Sequence, residues 1–589
     1  MFRSIFLRAA ALVTASSLGV VWSQAPGSPP TCPEWTVDSD QDDSFLGAGM
    51  ASAGDVNGDG YGDVIVGAPG YDNGQSGEGR AYVYLGSANG LSSTPAWTVE
   101  SDQAGADLGV SVSGAGDVNG DGYADVIVGS FLFSNGQASE GIALVYLGSS
   151  TGLATVPASL LECDQANARF GESVSSGDFN GDGYGDVVVG ARLFDHGQTN
   201  EGRAFVYLGS ASGLSLTPAW TGEPDDADAQ FGRVAGAGDT NGDGYDDVLV
   251  GAPGFDGKGR AYVYLGSSSG PETVASWVED GESFGGFFGP PFGGSLAGAG
   301  DVNGDGYDDV LVADQVWDLS GVKVAGKAYL YLGSSTGLAT SPAWTDQGTW
   351  ETGYFGASVA GLGDVNADGF DDWVASNHIA YTGELRVYYG SSSALSDTPA
   401  WIFEVPLEES DAMGGAARDV NADGYGDVLF GWRETFASPT HSHLELYLGS
   451  LVGFARSVVY AGDGINKDTV EPVNIVLGST WSAPLTVSPG PAHGHGSGGP
   501  ITLIVRTTAI NGPTITSPVG GRLTEKLTSG PVLARISSTH GGANGDIPPQ
   551  AVPNDPSLLG VAWAAQYIVL GGGFADFSLA VRGVMTNCP

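Results

Sequence analysis

The chain has 589 residues, of which 97 are glycine, and 68 acidic residues against 21 Lys and Arg give it a formal charge of −47. That balance excludes a phosphate-backbone partner, because nucleic-acid binders carry basic patches. Hydrophobic residues at 41% and aromatics at 10% exclude a disordered acidic polymer, so the acid is carried on a folded body or neutralised by bound cations.

The N-terminal stretch MFRSIFLRAAALVTASSLGVVWSQA carries Arg3 and Arg8, an apolar run from Ala9 to Trp22, and then small residues. This is the pattern of a secretory signal peptide over 1–25, with a membrane anchor as the alternative reading. The run is short for a span of about 20 residues. Export followed by cleavage predicts a secreted or surface-attached protein with no remaining membrane span. An exported chain meets oxidising conditions, so its three cysteines, Cys32, Cys163 and Cys588, allow one disulfide and leave one thiol. A bridge between the two chain ends, Cys32 to Cys588, is one candidate.

From residue 26 to 463 the chain repeats. The segment DVNGDGYGD begins at Asp55, and its counterparts begin at Asp117, Asp178, Asp239, Asp301, Asp364 and Asp419, spaced 55 to 63 residues apart. A fixed period of this length marks a repeat architecture. Each unit holds four short runs: a small-residue run such as GVSVSGAG, then DVIVGS, IALVYLG and PAWTVE. Their β-branched and aromatic content, with Gly, Asn and Ser between them, reads as four antiparallel strands. Seven such units predict an all-β fold, a seven-bladed β-propeller, with a solenoid of sheets as the competing architecture. The small-residue strand suits the crowded axis. The strand marked by Trp35, Trp97, Trp220, Trp277, Trp344 and Trp401 suits the rim. Ring closure is open at this level: the last strand of blade seven comes either from ARSVVYAG (455–462) or from PEWTVDSD (33–40), a copy of the outer-strand pattern.

The Asp-rich segments place oxygen donors at positions 1, 3, 5 and 9, a backbone carbonyl at 7 and a turn-forming glycine at 6. That spacing is how a loop wraps a calcium ion, which takes six to eight oxygens. The candidate ligands are Asp55, Asn57, Asp59, Tyr61 and Asp63 in the first copy, and Asp117, Asn119, Asp121, Tyr123 and Asp125 in the second. The third holds Asp178, Asn180, Asp182, Tyr184 and Asp186, and the fourth Asp239, Asn241, Asp243, Tyr245 and Asp247. The fifth holds Asp301, Asn303, Asp305, Tyr307 and Asp309. The sixth holds Asp364, Asn366, Asp368, Phe370 and Asp372, and the seventh Asp419, Asn421, Asp423, Tyr425 and Asp427. About seven Ca²⁺ ions are expected as cofactors. The competing reading is a plain Asx and Gly turn, which favours the same residues. An EF-hand is excluded, because position 12 is apolar rather than Glu and belongs to a strand.

The segment FGESVSSGDFNGDGYGDVVVGA (170–191) resembles the FG-GAP repeat of integrin alpha-chain propellers and of bacterial exported proteins. Phe170–Gly171, Phe231–Gly232, Phe288–Gly289 and Phe355–Gly356 carry the first element; Gly67–Ala68–Pro69 and Gly251–Ala252–Pro253 carry the second. Blade seven departs, with Gly431–Trp432–Arg433 at the second element and no Phe–Gly. The resemblance implies a propeller in which a subset of hairpin loops binds Ca²⁺.

Residues 464–589 read as a small β-rich domain, with APLTV, ITLIVRTT, QYIVLGG and FSLAVRGV as strands, and attachment or sorting as its role. The pairs His493/His495 and His441/His443 read as solvent-exposed spacers, with a metal site as the alternative. No phosphate loop or HExxH motif marks a catalytic centre. The favoured function is a binding or adhesion module for extracellular protein or glycan, with Phe131, Phe133, Phe194 and Trp432 as contact or packing aromatics. The rival readings are a polysaccharide lyase or hydrolase, with Arg192 and Arg433 near its centre, and a structural surface-layer component.

Overall fold

The computed structural model describes residues 33–282, 291–317, 325–348, 353–377, 383–404, 410–434 and 442–449, together with several strands outside these ranges. The chain divides into two compact units, Pro33–Val452 and Met1–Cys32 with Gly453–Pro589.

The first unit is a β-propeller of seven four-stranded antiparallel blades. Blade one shows the pattern, with Met50–Gly54 innermost, followed outward by Asp63–Ala68, Arg80–Tyr84 and Trp97–Glu100. The innermost strands of successive blades pack side by side around the axis, and the last, Ser410–Arg418, meets the first, Met50–Gly54. Small side chains are what that crowding permits. The second strand is buried along its whole length, as in Asp63–Ala68, Asp125–Ser130 and Asp186–Ala191. Such two-sided burial is why these segments are runs of Val, Ile and Leu rather than alternating patterns.

The core lies between blades. Ile65, Val83 and Trp97 of blade one share a buried cluster with Val126, Val128 and Leu144 of blade two. A rim tryptophan latches blades one, three, four and five to the next blade, whereas blade two has Ser159–Leu161 in its place and Trp401 of blade six bonds the Tyr389 hydroxyl of its own blade. Trp97 Nε1 donates to the Ala154 carbonyl at 2.8 Å, Trp220 to Glu272 at 2.9 Å, Trp277 to Ala339 at 3.0 Å and Trp344 to Ser396 at 3.1 Å.

Ring closure is resolved in favour of the N-terminal copy. Trp35–Asp38 pairs antiparallel with Ser442–Tyr447 as the outer strand of blade seven, with Trp35 opposite Leu446 and Asp38 opposite His443. Trp35 Nε1 then donates to the Ser92 carbonyl of blade one at 2.9 Å, repeating the latch across the seam. His443 is therefore no exposed spacer. It is 9% exposed, with Nδ1 on Asp38 and Nε2 3.0 Å from Glu445.

The two glycine elements of the repeat meet each other. A Cβ on Gly67 would lie 1.8 Å from the Gly109 carbonyl of the next blade, and Gly129, Gly190 and Gly251 stand in the same relation to Gly171, Gly232 and Gly293. The repeat thus keeps glycine where two backbones touch. This fixes the first element of blade five as Phe292–Gly293 rather than Phe288–Gly289, since Phe292 is 1% exposed and bridges Gly259. Residues 288 and 289 lie outside the described set.

In the second unit, Val532–Thr539, Pro500–Thr507, Ala562–Gly571 and Phe574–Val584 form one antiparallel sheet in that order, and Thr486–Val487 pairs with Gly545–Asp546. Three of the sequence-read strands fall in that sheet, whereas Val532–Thr539 was not anticipated. Cys32, Cys588, His441, His493 and His495 lie outside the described residues; Cys163 is a free thiol.

Candidate functional site

Each Asp-rich segment is the hairpin loop between the first and second strands of its blade, as the Gly54–Asp63 pairing shows. Within blade one, Asp55 Oδ1 accepts the Gly58 and Asp59 amides at 2.7 and 3.0 Å, and Oδ2 accepts the Gly60 amide at 2.8 Å. Asn57 Oδ1 accepts the Asp59 amide at 2.9 Å, and Asp59 Oδ1 accepts the Tyr61 amide at 3.1 Å. Blades two, four and five repeat this network bond for bond. Side-chain oxygens that cap amides in a turn explain why Asp and Asn are tolerated at the loop tip.

The aspartate at position 9 has a different station. Asp63 is 0% exposed; its Oδ2 accepts the Val56 amide at 2.9 Å and its Oδ1 accepts the Gly86 amide, 23 residues away, at 2.8 Å. Asp125, Asp186, Asp247, Asp309, Asp372 and Asp427 make the same pair of bonds in their blades. Position 9 therefore stitches the loop to the turn after the third strand. Burial pushes these carboxyls up, against the pull of the two amides, and the aspartates at positions 1 or 5 push further. Asp63, Asp125, Asp186, Asp309 and Asp427 reach about 7, Asp247 about 6 and Asp372 about 8.

Neighbouring loops are joined into a closed belt. The amide at position 8 donates to the carbonyl at position 1 of the preceding blade: Ala124 to Asp55, Gly185 to Asp117, Asp246 to Asp178, Asp308 to Asp239, Asp371 to Asp301, Gly426 to Asp364 and Gly62 to Asp419. The aromatic at position 7 packs along the same belt. The Tyr123 ring rests on Gly58, where a Cβ would come within 2.6 Å. In blades four to six a carboxylate at position 8 adds a second bond back, as Asp246 Oδ2 accepts the Asp178 amide at 2.8 Å.

All 35 candidate ligands are thus brought into one belt of seven equivalent loops. The donor set is all oxygen, which suits a hard cation. The three aspartates of a loop do not converge as they stand. Among the described residues, the clusters whose acid or imidazole atoms all lie within 4.8 Å of one another are His196, Glu201 and Glu223, and Glu78, Glu100 and Asp102, on the opposite ends of the strands. In blade one Asp59 Oδ2 is instead held by Asn57 Nδ2 at 2.9 Å.

A cavity of about 510 Å³ opens beside the belt at blades one to three, lined by small residues with Asp117, Asp178, Tyr184, Asp246 and Arg418. Arg418 stands where the other six blades have glycine and adopts φ +55°, in the left-handed region. On the opposite face, Glu172 is surrounded by arginines. Arg192 Nε lies 2.6 Å from Oε2, Arg233 Nη2 3.3 Å from Oε1 and Arg169 Nη1 3.7 Å from Oε2. Arg192 also donates to Gln230 Oε1 at 2.9 Å. Neither grouping was read from sequence, although the arginine in place of glycine before Asp419 was a visible departure. Phe194 and Trp432, at 9% and 2% exposure, are core residues and offer no ligand contact. Arg433 lies over the Phe45 ring at 5.2 Å, and burial lowers its pKa.

The FG-GAP repeat family matches residues 48–84, 108–146, 170–207 and 231–264. Integrin alpha-7 of Rattus norvegicus is 37% identical over 187 residues, covering 31% of this chain and 16% of that protein. Integrin alpha-8 of Homo sapiens is 31% identical over 236 residues, covering 38% of this chain and 20% of that protein. The chain thus spans a fifth or less of either relative. Among solved structures, the exotype rhamnogalacturonan lyase YesX aligns over 74% of this chain and 77% of its own, at 13% identity and a TM-score of 0.33.

Proposed function

This chain is an FG-GAP repeat protein with an integrin-alpha-like propeller, and on that premise we propose that it is an exported binding module stiffened by Ca²⁺. The observation that carries the reading is the sevenfold recurrence of one acidic loop, with a buried aspartate in each and a hydrogen-bonded belt through all seven. A turn alone needs neither three aspartates nor a carboxylate buried beside two others. In this reading Ca²⁺ takes the side-chain oxygens at positions 1, 3, 5 and 9 and the carbonyl at 7, and the ion supplies positive charge that offsets their mutual repulsion. Binding draws in position 5, which gives up its bond from the Asn amide.

The partner is an extracellular protein or glycan, bound on the face opposite the belt. Three arginines around Glu172 give one spot on that face a local excess of positive charge in a chain of net charge −47, so the favoured partner places a carboxylate there. No helix among the described residues is long and apolar enough to cross a membrane. A glycan array and a pull-down from extracellular matrix, each run with wild type and R233Q, test the reading. Retention of an acidic ligand by wild type and its loss in R233Q is the expected result; an identical binding profile contradicts it.

A further inference from the structure

We propose that blade three carries a separate site for a divalent transition metal of the Zn²⁺ class, built from His196, Glu201 and Glu223 and independent of the Asp-rich belt. One ligand atom from each residue lies within 4.8 Å of the other two. His196 Nδ1 faces Glu223 Oε1 at 2.7 Å. Arg203 holds the other Glu223 oxygen, with Nη2 at 2.6 Å and Nε at 2.7 Å, which fixes the carboxylate without covering Oε1. Glu201 is 0% exposed, and its Oε1 accepts the His196 and Gln198 amides. Its Oε2 is buried and has no hydrogen-bond partner. A buried, unpartnered carboxylate oxygen costs free energy unless a cation or proton joins it.

The propeller supplies its own controls. Blades one and two fold the same loop, with buried Glu78 and Glu140 whose Oε2 atoms are likewise unpartnered. Where blade three has His196, these blades have asparagines that donate to the strand-four acid. Asn73 Nδ2 lies 2.7 Å from Glu100 and Asn135 Nδ2 2.6 Å from Glu162. An amide nitrogen is a donor only and cannot ligate, whereas a neutral imidazole nitrogen is a good ligand for Zn²⁺. Blade three alone of the three thus adds a nitrogen ligand to the acid pair, the mixed set that selects Zn²⁺-class ions over Ca²⁺. Tetrahedral ligands at Zn²⁺ distances of about 2.0–2.2 Å stand roughly 3.3–3.5 Å apart. The His196–Glu223 pair opens by under about 1 Å to admit the ion, which takes the place of the proton they share. Water or a ligand group fills the fourth position.

The test uses the full, untagged chain in 1 mM Ca²⁺, titrated with Zn²⁺ against a chromophoric chelator. Wild type is expected to bind one equivalent that H196N loses or binds about tenfold or more weakly. H196N installs the residue that blades one and two already use, so its melting temperature without Zn²⁺ stays that of wild type. In wild type, Zn²⁺ is also expected to shield His196 from diethylpyrocarbonate, read by mass spectrometry. Equal Zn²⁺ binding by the two proteins, or labelling of His196 unchanged by Zn²⁺, overturns the proposal.

Discussion

Replacing Trp35 with Ala tests whether the N-terminal strand closes the ring. The side chain is 6% exposed, packs edge-on against Tyr84 at 4.9 Å between ring centroids, and shares a cluster with Leu46, Leu444 and Leu446. Truncating a buried Trp costs about 3–5 kcal/mol in transfer and cavity terms. The Ser92 carbonyl also loses its indole donor, worth about 1 kcal/mol more. Because Trp220 makes the same latch inside the ring, with a 4.8 Å edge contact to Tyr264 and a 2.9 Å bond to Glu272, W220A is the matched control. Both variants are expected to lose about 4 kcal/mol or more in urea unfolding at fixed Ca²⁺, with W35A also exposing the seam to limited proteolysis. A W35A cost under about 1 kcal/mol beside a full cost for W220A refutes closure by this strand, since 1 kcal/mol is the range of a surface substitution.

Three further outcomes follow from the same geometry. At the seam, burial alone lowers the His443 pKa, but hydrogen bonds to Asp38 and Glu445 outweigh it and raise it to about 9 from 6.5. A raised folded pKa means the contribution, about 2–3 kcal/mol, is complete below pH 6.5 and lost as pH rises through 9. The stability gap between wild type and H443Q should therefore shrink between pH 6.5 and 10, and a gap constant over that range contradicts the pairing. In EDTA, D186A should cost about 2–4 kcal/mol because two buried amides lose their acceptor, whereas D182A at the exposed tip should cost under about 1 kcal/mol; equal costs in urea unfolding count against the stitch. R418G should stabilise the protein by about 1 kcal/mol at high salt, by releasing a left-handed non-glycine residue while attraction to Asp371 is screened. A loss of stability there contradicts strain at this position.

Much of the fold was legible because the repeat declares itself. Seven Asp-rich segments at a near-constant spacing, four strand-like runs per unit and a recurrent rim tryptophan together specify blade number, strand order and loop position. What sequence left open depends on pairing across the whole chain. Two segments matched the missing outer strand, and only the register with Ser442–Tyr447 distinguishes them. Reading His443 as a spacer failed because its partner, Asp38, lies 405 residues away. The Phe–Gly of blade five was misplaced because FGGFFGPPFGG offers several choices, and only contact with Gly251 selects Phe292–Gly293. The loops were legible as donor types but not as geometry. Position 9 looked like one more ligand, yet its backbone partners sit seven and about twenty residues away, so its structural duty is invisible in the motif. The His196, Glu201 and Glu223 cluster escaped notice because its members are spread over a loop and a rim strand, with no spacing signature.

The proposed function requires that the seven equivalent loops each hold one calcium ion. Calorimetric titration of the chelator-stripped chain with Ca²⁺, paired with thermal unfolding in Ca²⁺ and in EDTA, measures it directly. Extracellular sites bind at roughly 10⁻⁴–10⁻³ M, so each occupied loop adds about 0.4–1.4 kcal/mol at millimolar Ca²⁺. The account predicts close to seven ions per chain and a melting temperature that falls sharply in EDTA. A chain that binds no Ca²⁺ and melts identically in both conditions contradicts it, and leaves the loops as turns.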